Sequence, residues 1–198
     1  MTPTDVGRSY DAITQRWEAP QHPLTGLPQH QRATQFSRSR GHALDVGCGC
    51  DDRLMEYLRA QGFEVEGIDV SERMIALARQ RHPDTRFHHA DICRWELPRQ
   101  YDFITGWDSI WHVPLAEQES VLRKLCDRLN SGGVLIFTMG GTDQPGEVQD
   151  DHMGVPMYTA TMGIPKMLAV LAECGCVSRH LEYDQYPQLH VCVIAQKA

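Results

Sequence analysis

No stretch of this sequence approaches the length and apolarity of a membrane span, and its first residues carry no apolar run of the signal-peptide kind. The expectation is a protein of the cytoplasm with no membrane partner. Positive charge is in deficit: 19 Lys and Arg stand against 26 Asp and Glu, a formal net charge of −7. A chain of that sign is repelled on average by duplex and by anionic membranes, so no nucleic acid is expected as a partner. No internal repeat or low-complexity segment is visible. The seven cysteines are Cys48, Cys50, Cys93, Cys126, Cys174, Cys176 and Cys192. An odd count without an export signal points to reduced thiols rather than a disulfide framework. Cys48-x-Cys50 and Cys174-x-Cys176 lack knuckle spacing, and no metal site is expected.

What is present suits one globular unit with a sizeable core: 198 residues, 41% hydrophobic and 23% charged. Its organising stretch is HALDVGCGCD, residues 42–51. Ala43, Leu44 and Val46 read as a buried strand. Gly47 and Gly49 follow as a tight turn whose backbone angles are closed to other residues. A helix from about Asp52 to Ala60 then points its free N–H groups back at the turn. That makes a nucleotide-type crevice at the C-terminal end of a first parallel strand.

Residues 1–41 are polar and broken by Pro3, Pro20, Pro23 and Pro28. Helical spacing from Asp5 to Trp17 puts Val6, Tyr10, Ile13 and Trp17 on one face, and Gln29 to Ser37 reads as a second helix. The segment is too poor in apolar surface for a separate core. We expect an N-terminal helical cap over a main domain of residues 42–198. Beyond Ala43 strands and helices alternate. Strands are expected at Glu64 to Ile68, Thr85 to His89, Tyr101 to Thr105 and Val134 to Thr138. Helices are expected from Ser71, as cap, to Arg81, and from Leu115 to Leu129. This order implies a parallel sheet with helices on both faces. Gly140 to Thr161 shows no period and reads as a long connection. A helix from Pro165 to Cys174 and a hairpin, Val177 to Tyr183 with His190 to Ala195, close the sheet.

Three acids give the crevice its chemistry. Asp69 ends the second strand, about 20 residues past the glycine turn, where a nucleoside fold places an acid on the ribose hydroxyls. Asp91, just past the third strand, can accept from an adenine amino group, with the Ile92 N–H donating to the ring. Asp45 lies among apolar neighbours and needs a partner. It either holds the turn amides or reaches a ligand ammonium through water.

The motifs DVGCG, VEGIDVS, ADI, YDFI and LNSGGVLIF, in that order, resemble those of the class I S-adenosylmethionine-dependent methyltransferases. The likeness runs from about Ala43 to Phe137 and takes in the final hairpin. It is closest to small stand-alone bacterial members of undefined substrate. It implies a doubly wound, Rossmann-like seven-stranded sheet, mostly parallel with an antiparallel last strand. It implies S-adenosylmethionine as cofactor and S-adenosylhomocysteine as product. Gly47, Cys48 and Gly49 would lie beside the methionine part, Asp69 on the ribose and Asp91 on the adenine. Val70 would pack on the adenine, and Gly106 with Trp107 near the methionine end. Cys50 stands where that family usually has a third glycine, and Asp51 and Asp52 follow it. Two acids there suit the helix dipole and repel a phosphate, which favours a sulfonium cofactor over NAD.

Methyl transfer needs alignment, and a base only when the acceptor must lose a proton. In GWDSIWHVP, His112 is the first candidate base and Asp108 the second. Trp107 and Trp111 can wall an acceptor pocket, and Tyr10 and Trp17 from the N-terminal segment can cover a bound ligand, since aromatic faces suit a cation. His152 and Tyr158 can form its other wall. The expected acceptor is a small molecule, flat or apolar, and the expected state a monomer or homodimer. Two other readings are kept: an NAD-dependent oxidoreductase, which lacks a Tyr-x-x-x-Lys pair here, and a non-catalytic S-adenosylmethionine binder. The Asn-Pro-Pro-Tyr signature of base amino methylation is absent after the fourth strand.

Overall fold

The structure, a computed structural model, describes residues 1–17 and 26–198. Pro20 and Pro23 lie outside the described residues. The chain begins with helix α1 (Pro3–Ile13), a single 3-10 turn (Thr14–Trp17) and helix α2 (Leu27–Thr34). Then come β1 (His42–Val46), α3 (Arg53–Ala60), β2 (Glu64–Asp69), α4 (Glu72–Arg81), β3 (Phe87–His89) and β4 (Tyr101–Gly106). A 3-10 turn (Ile110–His112) leads into α5 (Leu115–Asp127) and β5 (Leu129–Gly140). The last third holds β6 (Gly146–Asp150), β7 (Met157–Thr161), α6 (Ile164–Glu173), β8 (Cys176–Glu182) and β9 (His190–Lys197).

Seven strands form one sheet in the order β3-β2-β1-β4-β5-β9-β8. The pairs from β3 through β5 are parallel, and β9 runs antiparallel to both neighbours. This is the doubly wound, Rossmann-like sheet with an antiparallel last strand. Strand order reverses between β1 and β4, and a crevice opens outside the carboxyl ends of strands at such a point. Side chains alternate between two cores, one on each face of the sheet. Leu44, Ile104 and Leu135 join Leu122 and Leu125 of α5 in one core. Ala43, Phe103 and Ile136 join Leu58 of α3 and Ile75 of α4 in the other. Burial on both faces is why the central strands read as apolar runs without alternation.

The described elements depart from the sequence reading in several places, among them the ends of α1, α2 and α5. The stretch Gly140 to Thr161 contains an antiparallel pair, β6 with β7. It escaped notice because β6 is exposed along nearly its whole length, so no apolar face marks it. Strand β5 starts at Leu129, since Asn130 to Gly133 continue the strand through a register shift rather than turning out of it. Strand β3 begins at Phe87, later than Thr85.

Helix α1 is capped by a reciprocal pair, Thr2 with Asp5. It lies against residues at the carboxyl ends of the strands. Asp11 Oδ1 accepts from the Ser71 hydroxyl at 2.5 Å, and Ser9 donates to the Pro156 carbonyl at 2.6 Å. Helix α2 packs on the sheet itself. Its His30 is fully buried, with Nδ1 2.7 Å from the Gly26 carbonyl and Nε2 2.8 Å from the Thr105 hydroxyl. A carbonyl only accepts, so Nδ1 carries the proton and the ring is neutral.

Burial drives the His30 pKa down to about 4, against the Gly26 carbonyl that favours its charge. The unfolded chain therefore binds a proton below about pH 6.5 that the folded chain refuses until about pH 4. This contribution to stability is lost as pH falls through that window. In urea titrations, moving from pH 7 to pH 5 should destabilise the wild type by roughly 2 kcal/mol more than His30→Gln. Equal losses in both proteins would refute this.

Candidate active site

A cavity of about 510 Å³ opens at the carboxyl ends of β1, β2 and β4. Its floor is the turn after β1. The Ile68 carbonyl accepts from Gly47 N at 2.8 Å and from Cys48 N at 3.1 Å. Asp69 Oδ2 then accepts from Gly49 N at 2.8 Å, and Oδ1 from Ser71 N at 2.8 Å. Held this way, Gly47 and Gly49 take φ of 72° and 54°. Only glycine adopts these angles freely. A Cβ on Gly47 would fall 2.2 Å from the Ser109 Cβ, whereas one on Gly49 meets nothing within 4 Å. Gly49 thus leaves room for a ligand to approach the main chain.

Asp45, Cys48, Asp69, Val70, Asp91 and Ile92 line this half of the cavity. Asp45 does not hold the turn amides, because Ile68 and Asp69 already do. Asp45 is a buried residue whose carboxyl faces the cavity and has no hydrogen bond among the described residues. Burial raises its pKa to about 7, with the Asp69 and Asp51 carboxylates adding and Arg53 opposing. Burial also raises the Asp69 pKa, opposed by the backbone N–H groups it accepts. Asp91 Oδ1 caps its own turn by accepting from Cys93 N at 2.8 Å, and Oδ2 has only a 3.8 Å pairing to an exposed Arg94.

Trp107, Asp108, Trp111 and His112 line the other half, with Tyr10 and Trp17 beside them. His112 Nδ1 lies 2.6 Å from the Tyr158 carbonyl, so Nδ1 carries the proton. Nε2 is then the acceptor, taking the Tyr10 hydroxyl at 2.8 Å and the Trp111 indole N–H at 3.1 Å. Burial lowers the His112 pKa against the pull of the Tyr158 carbonyl, so the ring is neutral at pH 7. Burial raises that of Tyr10, and Asp69 and Asp108 add to it.

Three expected site residues fall outside the cavity. Gly106 is buried at the end of β4, where a Cβ would strike Ile110 at 2.6 Å. Its role is to let the following turn close. The Tyr158 hydroxyl donates to Glu147 at 2.6 Å and accepts from Leu115 N at 2.9 Å, so only its carbonyl serves the site, through His112. His152 is 87% exposed and pairs with Asp150, which itself lines the cavity. An edge hairpin turns these two side chains by its pairing, which sequence alone left unread.

The reading also missed His190, Asp184 and Arg53. His190 Nδ1 lies 2.6 Å from Asp184 Oδ1, and Nε2 lies 2.9 Å from Asp108 Oδ1. Although burial opposes its charge, Asp108 and Asp184 raise the His190 pKa. No spacing signal links residues 108, 184 and 190. Only the pairing of β5 with β9 brings His190 beside the turn after β4.

The fold and the cavity define an α/β protein of the nucleoside-binding, doubly wound kind. Residues 21–181 match the profile of a family described as a methyltransferase domain, and the chain belongs to that family. A dTDP-3-amino-3,6-dideoxy-alpha-D-glucopyranose N,N-dimethyltransferase of Streptomyces fradiae is 34% identical over 141 residues, 67% of this chain and 52% of that protein. A trans-aconitate 2-methyltransferase of Delftia acidovorans is 34% identical over 129 residues, 62% of this chain and 47% of that one. The chain therefore spans about half the length of these relatives. Among solved structures, magnesium protoporphyrin IX methyltransferase of Synechocystis with bound S-adenosylmethionine superposes with TM-score 0.74, at 17% identity over 100% of this chain and 98% of that one. CalS10, an amino pentose methyltransferase of Micromonospora echinaspora, gives 0.68 at 18% identity over 96% of each chain. At these identities the superpositions speak to the fold.

Asp45 costs the folded chain stability once it ionises. Its ionised form is disfavoured in the folded chain from about pH 4 up to about pH 7. Asp45→Asn should therefore stabilise the ligand-free protein, by roughly 2 kcal/mol more at pH 8 than at pH 5. Urea midpoints at the two pH values check this, and a gain independent of pH would contradict it.

Proposed function

We propose that this chain transfers the methyl group of S-adenosylmethionine to a small-molecule acceptor and releases S-adenosylhomocysteine. The observation that carries this is one cavity floored by the Gly47–Gly49 turn, with Asp69 at its edge and the unpartnered Asp45 carboxyl inside. When bound, S-adenosylmethionine supplies a methyl carbon on a sulfonium centre, open to displacement. Each Asp69 oxygen holds one backbone N–H and keeps a second lone pair for a ribose hydroxyl. Asp45 presents its carboxyl to the ammonium of the methionine part. Val70 packs on the adenine, while Asp91 and the Ile92 N–H address its polar edge. Trp107 walls the junction of the two halves.

His112 acts as general base with Tyr10 between it and the acceptor. The Tyr158 carbonyl fixes the ring, so Nε2 is presented to the Tyr10 hydroxyl. Tyr10 passes its proton to Nε2 as it takes the acceptor's, which keeps a high-pKa phenol from having to ionise alone. Trp17 and Trp111 exclude water around this path. Of the expected cap, helix α1 acts as one, since it carries Tyr10 to the site, whereas α2 packs on the sheet. The negative net charge supports a small acceptor over nucleic acid. The setting we propose is the cytoplasm, with the protein a monomer or homodimer.

Asp51 lines the cavity beside the start of α3 and accepts from Arg53 N at 3.2 Å. Its charge occupies the position a dinucleotide diphosphate needs, which speaks against the oxidoreductase reading. Membership of a methyltransferase family supports transfer over binding alone.

Calorimetric titration tests the cofactor assignment. Both S-adenosylmethionine and S-adenosylhomocysteine should bind, and Asp69→Ala should weaken each by at least about 100-fold, as expected for losing two hydrogen bonds to a charged group. Wild-type affinity in Asp69→Ala would overturn it.

A further inference from the structure

The acceptor is the open question, because two relatives of equal identity carry names with an amino sugar and a tricarboxylate in them. The cavity's own charges narrow it. Among the described residues six aspartates line it, Asp45, Asp51, Asp69, Asp91, Asp108 and Asp150, against one arginine, Arg53, which pairs with Asp51 at 3.5 Å. Such a field repels carboxylate and phosphate acceptors and concentrates cations.

Asp108 is the acid beside Trp111 and His112, and it is held by an unusual arrangement. Its backbone takes φ of 52°, the one positive φ outside glycine among the described residues. That conformation is unfavourable for a residue with a Cβ. Its N–H donates to the Thr138 hydroxyl at 2.8 Å, and the same hydroxyl donates to Asp108 Oδ1 at 3.2 Å. Oδ1 also accepts from His190 Nε2. Oδ2 has no hydrogen bond among the described residues, and the side chain is 42% exposed. Behind it, the His190 and Asp184 side chains are 6% and 4% exposed. With a carboxylate on each ring nitrogen, His190 donates twice and is an imidazolium. The Trp111 and Trp107 rings flank it at 5.0 and 6.0 Å. A neutral histidine would suffice to tie the hairpin to β4. The second carboxylate and the strained backbone serve instead to fix one Asp108 oxygen and leave the other to the cavity.

We infer that Asp184 and His190 are positioning residues for Asp108, and that Asp108 Oδ2 receives the protonated amine of a cationic acceptor. The inference rests on the proposed methyl transfer. The ammonium donates one N–H to Asp108 and loses one proton through Tyr10 to His112 Nε2. The freed nitrogen lone pair forms the N–C bond as the C–S bond breaks, and the sulfur takes that electron pair and becomes a neutral thioether. The methylated nitrogen keeps a positive charge, and His112 returns its proton to solvent.

The test uses benzylamine, benzyl alcohol and benzoate as probes, read by quenching of tryptophan fluorescence with and without S-adenosylhomocysteine. Benzylamine should bind at least about tenfold tighter than either of the others. Asp108→Asn and Asp184→Asn should collapse that ratio towards one, a change that general damage to the pocket would not produce. Equal binding of the three probes to the wild type, or a ratio that survives Asp108→Asn, overturns the inference. Ring ¹⁵N shifts of His190 provide a reading that needs no variant: both nitrogens should be protonated at pH 7.5, and a neutral ring refutes the relay. Because the ratio and the ring shifts are also measured without S-adenosylhomocysteine, failure of that nucleoside to bind, seen by calorimetry, would count against the methyl-transfer reading alone.

Discussion

Everything at this site depends on how the end of β2 grips the turn after β1. One carbonyl, Ile68, accepts two successive turn amides, and the next residue's carboxylate takes a third. That grip forces the left-handed angles at Gly47 and Gly49 and brings Ser109 against Gly47 with no room for a Cβ. It also satisfies the Gly47, Cys48 and Gly49 amides without Asp45. Asp45 is left without a hydrogen-bond partner at the cavity wall, where ionisation is costly. A local backbone solution thus produces the electrostatics of the pocket.

The second half of the cavity is assembled from parts far apart in the chain. Helix α1 joins three of them: Asp11 to the start of α4, Ser9 to the segment before β7, and Tyr10 to His112. His112 is in turn oriented by a carbonyl of β7. Asp108 is oriented by Thr138 of β5 and His190 of β9. Strand pairing therefore fixes this end of the cavity, while α1 is held beside it by these bonds. These bonds preorganise the cavity before any ligand enters it.

Legibility of the sequence followed the same division. The placing of Gly47, Gly49, Asp69 and Asp91 around one cavity was readable, because the glycine turn, the end of β2 and the turn after β3 sit at distances set by one crossover each. Ser71 was readable as a helix cap for the same local reason, and its hydroxyl does accept from Met74 N. Asp45 was readable only as a pair of alternatives, since whether the turn needed it depended on the Ile68 carbonyl. The acceptor half was read in part. Tyr10, Trp107, Trp111 and His112 do line the cavity, but Tyr158 and His152 do not. Their direction is set by an edge pairing, β6 with β7, whose exposed strand carries no apolar pattern. His190 and Asp184 left no local signal at all, because their contact with Asp108 exists only once β9 has paired with β5.

The most direct measurement is a crystal structure of the protein with S-adenosylhomocysteine. The account predicts ribose oxygens within hydrogen-bonding distance of Asp69, the amino group of the homocysteine part near Asp45, and the sulfur pointing towards the Asp108 and His112 end. Density for the nucleoside elsewhere, or in this cavity with Asp69 uninvolved, would contradict it.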